Sequence, residues 1–294
     1  KMKIIRRINE AREAVRQFRS THGGAVIGFV PTMGYLHEGH TSLIKKAKEQ
    51  CDFVAVSIFV NPLQFGPNED FERYPRDEER DTRILEETGT DLVFLPDTNE
   101  LVPPSIRTKV TVAELTDRLC GLSRPGHFDG MATIVTKLFN IIQPDKAYFG
   151  LKDAQQAAVV EQMTKDLNMP VEIVPCPTVR EADGLAKSSR NVYLSVEERA
   201  QAVVLPQALQ RAEQWKDQPG MTVGKLRELV KNHILTAPLA NIDYVEVLTY
   251  PGLEELADNQ PLSGIAGRWI IALAVKFGHT RLIDNTIFGG ESLV

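Results

Sequence analysis

Two histidines three residues apart, His37 and His40, close the string Pro31-Thr-Met-Gly-Tyr-Leu-His-Glu-Gly-His40. At the start of a helix such a spacing turns both imidazoles toward one pocket. The first turn of a helix also presents backbone N–H groups and the positive end of its dipole, and that combination suits a phosphate. Donors arranged there can stabilise charge developing on a pentacovalent phosphorus. Gly39, without a side chain, leaves room for a nucleobase or ribose against the backbone. Two later segments fit the same chemistry. Gly150-Leu151-Lys152-Asp153 again follows a strand pattern and precedes a helix pattern, and Lys152 offers a compact cation. Lys187-Ser188-Ser189-Arg190-Asn191 is a polar loop with cations and hydroxyls. Alone, each is an ordinary surface sequence. Together they make a set of donors and cations suited to the phosphates of one nucleotide.

The elements that must position these residues are legible in the hydrophobic pattern. Ile8, Ala11, Val15 and Phe18 recur at helical spacing, and 25–30 is a continuous apolar run suited to a strand buried on both faces. Helix signals at Leu43, Ile44 and Ala47 and over 77–87, 131–142 and 154–167 alternate with strand signals at 53–59, 91–95, 146–149 and 171–174. That alternation predicts a Rossmann-like, doubly wound parallel sheet. After Pro175-Cys176-Pro177 the order changes to two helical stretches, 196–215 and 223–235, then strands at 243–248, 269–275 and 280–283. A smaller α+β domain with an antiparallel sheet is expected there, acting as a lid. The boundary is placed at residue 178, giving domains 1–178 and 179–294.

Composition narrows the function classes. The chain has 294 residues, 43% hydrophobic and 25% charged, enough for two domains with real cores. A formal net charge of -5 argues against a nucleic-acid binder, which needs a basic excess. No apolar run approaches the length of a transmembrane helix, and Lys1-Met2-Lys3-Ile4 opens no signal peptide. Cys51, Cys120 and Cys176 are dispersed, without a C-x-x-C pair, as expected of small buried hydrophobes in a reducing compartment. No membrane partner and a cytoplasmic location are expected.

Over almost its whole length the chain resembles the pantoate–β-alanine ligases, the pantothenate synthetase family. The resemblance rests on ordered motifs: Val30-Pro-Thr-Met-Gly-Tyr-Leu-His-Glu-Gly-His40, Ser57-Ile-Phe-Val-Asn-Pro-Leu-Gln-Phe65, Arg73-Tyr-Pro-Arg76, Ser123-Arg-Pro-Gly-His-Phe128, Lys137-Leu-Phe-Asn140, Gly184-Leu-Ala-Lys-Ser-Ser-Arg-Asn191 and Thr280-Arg-Leu-Ile-Asp-Asn285. It implies that ATP, as MgATP, activates (R)-pantoate as pantoyl adenylate with release of pyrophosphate, and that β-alanine then displaces AMP. It places His37 and His40 on the ATP phosphates, His40 as the residue usually called the proton donor. It puts Met33, Gly34, Gly39, Gly150, Lys152, Asp153 and Val179 around the nucleotide, and Lys187, Ser188, Ser189 and Arg190 in the phosphate-closing loop. Gln64 and Gln156 match the amides that hold pantoate, and Asn61 in the same loop as Gln64 is expected on substrate, phosphate or metal-bound water. No metal ligand is assigned to the protein. A homodimer is implied as well.

Arg124 and His127 are expected either in the wall of the site or in a structural turn; Tyr74 and Asp81 either close the site or hold magnesium through water, with a solvated helix face favoured for Asp81. Leu151, Lys187 and Leu101-Val-Pro-Pro104 depart from the family pattern, and Lys187 adds a cation where Leu or Met is usual. Read from the residues alone, another nucleotidyltransferase of the superfamily, which would not explain the Gln64/Gln156 pair, and a catalytically silent nucleotide-binding protein stay open. An aminoacyl-tRNA synthetase is disfavoured by the acidic chain.

Overall fold

Strands that run through the middle of a parallel sheet are covered on both faces, so they need continuous apolar sequence rather than alternation. That is where the central strands form in the computed structural model, which describes residues 1–290. Residues 291–294, the end of the span assigned to the second domain, lie outside the described residues. The chain divides into two compact units, Lys1–Leu151 with Val159–Cys176, and Lys152–Ala158 with Pro177–Val294. The short stretch 152–158, which the sequence reading leaves in the first domain, therefore groups with the second unit.

In chain order up to residue 176 the elements are β1 (Lys3–Ile5), α1 (Ile8–Thr21), β2 (Ile27–Thr32), α2 (Glu38–Gln50), β3 (Phe53–Ile58), α3 (Glu78–Glu87), β4 (Leu92–Phe94), the single turns α4 (Thr98–Leu101) and α5 (Cys120–Ser123), α6 (His127–Ile142), β5 (Lys146–Gly150), α7 (Ala154–Asp166) and β6 (Glu172–Cys176). Six parallel strands line up in the order β1-β4-β3-β2-β5-β6. β2 and β3 are buried over nearly their whole length, whereas β1 and β6, at the two edges, are partly exposed. The order reverses between β2 and β5. In an open α/β sheet, the crevice beyond the carboxyl ends of the strands at such a reversal is where ligands bind. The β2–α2 turn that carries His37 and His40 starts from one of those two strand ends, and Gly150 ends the other. Helix α6 is buried almost all round, through Phe128, Met131, Leu138 and Ile142 among others, as expected of a helix apolar on most sides.

In the second unit α8 (Val196–Ala202), α9 (Val204–Trp215) and α10 (Val223–Ile234) precede β7 (Ala240–Thr249), β8 (Trp269–Phe277) and β9 (Thr280–Phe288), which pair antiparallel in that order. Leu205, Leu209, Leu226 and Val230 from the helices pack with Ile271 and Leu273 of the central strand. Fully burying one such side chain contributes about 1.5–3 kcal/mol. No helix among the described residues is long and apolar enough to cross a membrane.

Four departures from the sequence reading stand out, and three of them have a physical cause. β1 is too short to show a period, and it forms because Lys3–Ile5 can pair in register with Leu92–Phe94. The single helix expected over 196–215 is two, because Pro206 has no N–H for the Ala202 carbonyl and its ring crowds that carbonyl. The segment 96–104, expected only as a Pro-rich connection, contains the turn α4. β9 continues to Phe288 through the polar pair Asp284-Asn285, where the apolar pattern stops but the ladder with β8 does not.

Candidate functional site

The turn that leaves β2 is tied down residue by residue. Thr32 Oγ1 donates to the Ser57 carbonyl at 2.8 Å and accepts the Gly34 N–H at 3.2 Å. Gly34, at φ +85°, and Tyr35, at φ +48°, reverse the chain in the left-handed region that favours glycine. The next two N–H groups, of Tyr35 and Leu36, both donate to the Asp81 carboxylate of α3, each at 2.8 Å. Asp81 is only 1% exposed. Burial pushes its carboxyl above the ordinary range, and the two N–H groups together with Arg80 oppose that rise. The Arg80 guanidinium lies over the Tyr35 ring, 5.0 Å from its centroid.

At the start of α2 the two histidines cap each other's backbone. His37 is the N-cap, and its Nδ1 accepts the Gly39 N–H at 3.0 Å. His40, in the first turn, turns its Nδ1 back to accept the His37 N–H at 3.1 Å. The rings lie 4.1 Å apart, centroid to centroid. A backbone N–H can only donate, so each Nδ1 must present a lone pair, and in a neutral imidazole the proton then sits on Nε2. A doubly protonated ring would set N–H against N–H. The cap therefore selects the Nε2–H tautomer at both positions, at the positive end of a helix. Gly39 serves this arrangement. A Cβ there would stand 2.6 Å from His37 Cε1 and 2.8 Å from His37 Nδ1.

Beyond β3, a one-turn 3-10 helix, Pro62–Gln64, presents Gln64. Asn61 is 1% exposed and fully engaged: Nδ2 donates to Gln64 Oε1 at 3.0 Å and to the Gly130 carbonyl at 3.1 Å, while Oδ1 accepts the Leu63 N–H at 3.1 Å. Gln64 Nε2 has a thioether within reach, Met33 Sδ at 3.5 Å, a weak acceptor. The Gln64 carbonyl meets His127 Nδ1 at 2.9 Å, and Arg124 joins His127 to Glu69. Burial would raise the Glu69 carboxyl, but Arg124 and the Gly66 N–H outweigh it and hold it below the ordinary range.

In the second unit, Lys152 Nζ lies 3.7 Å from Asp153, and the Lys152 carbonyl accepts from Asn285 Nδ2 at 3.0 Å. Arg180 and Ala186 face each other across a short hairpin, and Lys187 donates its N–H to the Val179 carbonyl at 2.9 Å. Ser188 caps a 3-10 turn, Ser189–Tyr193, by accepting the Arg190 N–H. Burial would lower the Arg180 guanidinium pKa, but its forked pair with Asp284 outweighs that and raises it.

Comparison with known proteins decides the family. The family model described as Pantoate-beta-alanine ligase matches residues 3–287. A pantothenate synthetase of Pelotomaculum thermopropionicum is 56% identical over 98% of this chain and 99% of its own length. One from Geobacillus thermodenitrificans is 55% identical over 97% and 96%. Among solved structures, the pantothenate synthetase of Thermus thermophilus superposes with a TM-score of 0.88 at 45% identity, covering 97% of this chain and 99% of that one. The pantoate–β-alanine ligase of Francisella tularensis, solved with β,γ-ATP and β-alanine, gives 0.78 at 34% identity, covering 98% of each chain. The chain belongs to the pantoate–β-alanine ligase family.

In this ligase the residues expected from sequence fall into two sets. Met33, Gly34, His37, Gly39, His40, Asn61, Gln64 and Gly150 lie in the first unit, where the structure joins His37 to His40 and Met33 to Gln64 to Asn61. Lys152, Asp153, Gln156, Val179, Lys187, Ser188, Ser189 and Arg190 lie in the second. Asn61 bonds within the loop that carries Gln64 and to the Gly130 carbonyl. Lys187, the added cation, has its ammonium 3.5 Å from Glu181. Asp81 corrects the sequence reading: it is a buried anchor, not a solvated residue. The signal is its place four residues before Leu85, on the helix face that turns inward. Cys120 and Cys176 are buried as expected, Cys51 is half-buried, and burial pushes the Cys176 thiol up to about 11.

Gly39→Ala isolates the histidine cap. The substitution favours the helix by about 0.5–1 kcal/mol and disturbs a cap worth about 0.5–2 kcal/mol, so stability stays near that of the parent. The displaced His37 ring should lower AMP formation by about 10- to 100-fold, read by comparing thermal unfolding with turnover in the same preparation.

Proposed function

We propose how this ligase carries out its reaction, residue by residue. The observation that carries the reading is the reciprocal histidine cap, which presets both imidazoles as Nε2–H tautomers at a helix N-terminus beside the sheet's reversal point. The pantoate carboxylate attacks the α-phosphorus of MgATP, the new P–O bond forms as the bond to pyrophosphate breaks, and pantoyl adenylate results. His37 and His40 donate hydrogen bonds to phosphate oxygens as charge accumulates there. Lys152, Ser188, Ser189 and Arg190 supply further donors and positive charge to the phosphates. Met33, Gly34, Gly39, Gly150, Asp153 and the backbone of Val179 surround the nucleotide. Gln64 and Gln156 bind the hydroxyls and carboxylate of pantoate. The β-alanine amine then attacks the activated carbonyl, AMP leaves with the C–O bond electrons, and the amine nitrogen gives up its proton. An unactivated carboxylate resists that attack, because its oxygen is a poor leaving group.

ATP and β-alanine as substrates are supported by the Francisella tularensis ligase, which holds β,γ-ATP and β-alanine. Among the described residues no group of three or more His, Cys, Asp or Glu is placed to hold a metal. Magnesium enters this reading as MgATP, carried on nucleotide phosphates and water, as magnesium often is. Asn61 acts as a positioning residue: by taking Gln64 Oε1 it turns the Gln64 amide N–H groups toward pantoate. A homodimer and a cytoplasmic location belong to the same proposal and rest on the resemblance.

Exchange of labelled pyrophosphate into ATP tests the adenylate. It is expected to require pantoate and to proceed without β-alanine; exchange without pantoate, or none with it, contradicts the reading. His40→Ala should reduce that exchange by about 10²- to 10³-fold while ATP binding changes only a few-fold, since the contact strengthens in the transition state. Near-normal exchange would remove His40 from the chemistry. Gln64→Ala should raise the pantoate KM by about tenfold and leave the KM for ATP alone, which initial rates at varied pantoate and varied ATP resolve.

A further inference from the structure

A carboxylate and an amide buried in the middle of a strand require partners, because buried polar groups without them are costly. Asp284 and Asn285 of β9 are such a pair, 3% and 9% exposed. Their partners lie on two different segments of the second unit. Asp284 takes both arms of the Arg180 guanidinium, at 2.7 Å and 2.9 Å. The same guanidinium donates to the Gly184 carbonyl at 3.0 Å, bracing the hairpin that runs on into Ser188–Arg190. Asn191 Nδ2 donates to the Ala186 carbonyl at 3.1 Å and fastens the far side of that loop. Asn285 reaches the other segment through its bond to the Lys152 carbonyl, and the Tyr250 hydroxyl adds a second pin by donating to the Ala154 carbonyl at 3.1 Å. The two anchors are also joined to each other, since the Asn285 N–H donates to Asp284 Oδ1 at 2.8 Å.

We propose that Asp284 and Asn285 are a positioning pair for the adenylation step: one strand sets the place of both the Lys152 turn and the Ser188–Arg190 loop. This rests on the reading of Lys152 and Ser188–Arg190 as phosphate ligands. Neither Asp284 nor Asn285 touches substrate. Asn285 fixes the backbone from which Lys152 extends, and Asp284, through Arg180, fixes the root of the loop. Charged donors held by separate flexible turns would each have to be ordered when ATP binds. Tied to adjacent residues of one strand, they are ordered beforehand, and a shift of about 1 Å in such groups costs on the order of 10²-fold in rate.

The test is pantoate-dependent pyrophosphate exchange in Asn285→Asp and Asn285→Ala, each made in the parent and in a Lys152→Ala background, with thermal unfolding of all six proteins. Asn285→Asp keeps the shape, loses the donated N–H and sets a carboxylate against the Lys152 carbonyl, whereas Asn285→Ala loses the donor without adding a charge. Both variants are expected to lower kcat/KM for ATP by about tenfold or more and to leave the pantoate KM within about twofold. In the Lys152→Ala background the same changes should cost less than about twofold further, because the group they position is gone. Full activity in Asn285→Asp, or an equal fold-loss in both backgrounds, overturns the positioning role. Unimpaired exchange in Lys152→Ala alone overturns the phosphate role of Lys152 itself, and the proposal falls with it. Should Asn285→Ala fail to fold, Asn285→Asp alone carries the comparison.

Discussion

Two backbone N–H groups at the start of α2 are each satisfied by an imidazole nitrogen, and much of the site depends on that exchange. Helix N-termini leave donors without intrahelical partners, and most proteins meet them with a serine, threonine or aspartate oxygen. Here the His37 and His40 Nδ1 atoms do so reciprocally. The consequence is chemical as well as structural. Each ring is held in one orientation and one tautomer, with Nδ1 as the acceptor. Donors fixed beforehand need no reorganisation when charge develops, which is where electrostatic catalysis gains most.

The surrounding structure keeps that cap in place. Asp81 is buried at a cost that raises its carboxyl pKa, and it returns two hydrogen bonds to the turn between β2 and the cap. Asn61 spends every polar atom of its side chain on orienting Gln64 and its loop. Farther along the chain, Arg180 and Asp284 join residues 104 positions apart to brace the hairpin before Ser188. In each case a buried polar residue is satisfied by holding a neighbouring side chain or the backbone of a turn.

These supports explain what could and could not be read from sequence. Continuous apolar runs such as Phe53–Ile58 announce doubly covered strands, and the switch from alternating elements to consecutive helices and strands announces the second unit. The histidine spacing shows that two rings can share a face. It does not show that each ring folds back onto the other's backbone, since that depends on rotamers and on the space Gly39 leaves. Asp81 follows Glu78 and Glu79 in an acidic first turn, and charge alone suggests water; only its phase relative to Leu85 marks it as inward. Lys187 reads as an extra cation for phosphate, and the Glu181 carboxylate 3.5 Å from its ammonium carries no such signal in the sequence. The Arg180–Asp284 and Asn285–Lys152 contacts carry no local signal, because pairing at such separation is set by topology. Pro206, by contrast, is a local signal in plain view, masked only by the helical period that surrounds it.

The tautomer of the histidine pair can be observed without substrate or mutation. Nitrogen-15 NMR of the imidazoles at mildly alkaline pH distinguishes a protonated ring nitrogen from one bearing a lone pair. The cap predicts that both His37 and His40 are Nε2–H tautomers with Nδ1 as the acceptor. A proton on Nδ1 of either ring, or a doubly protonated imidazolium under those conditions, would contradict it.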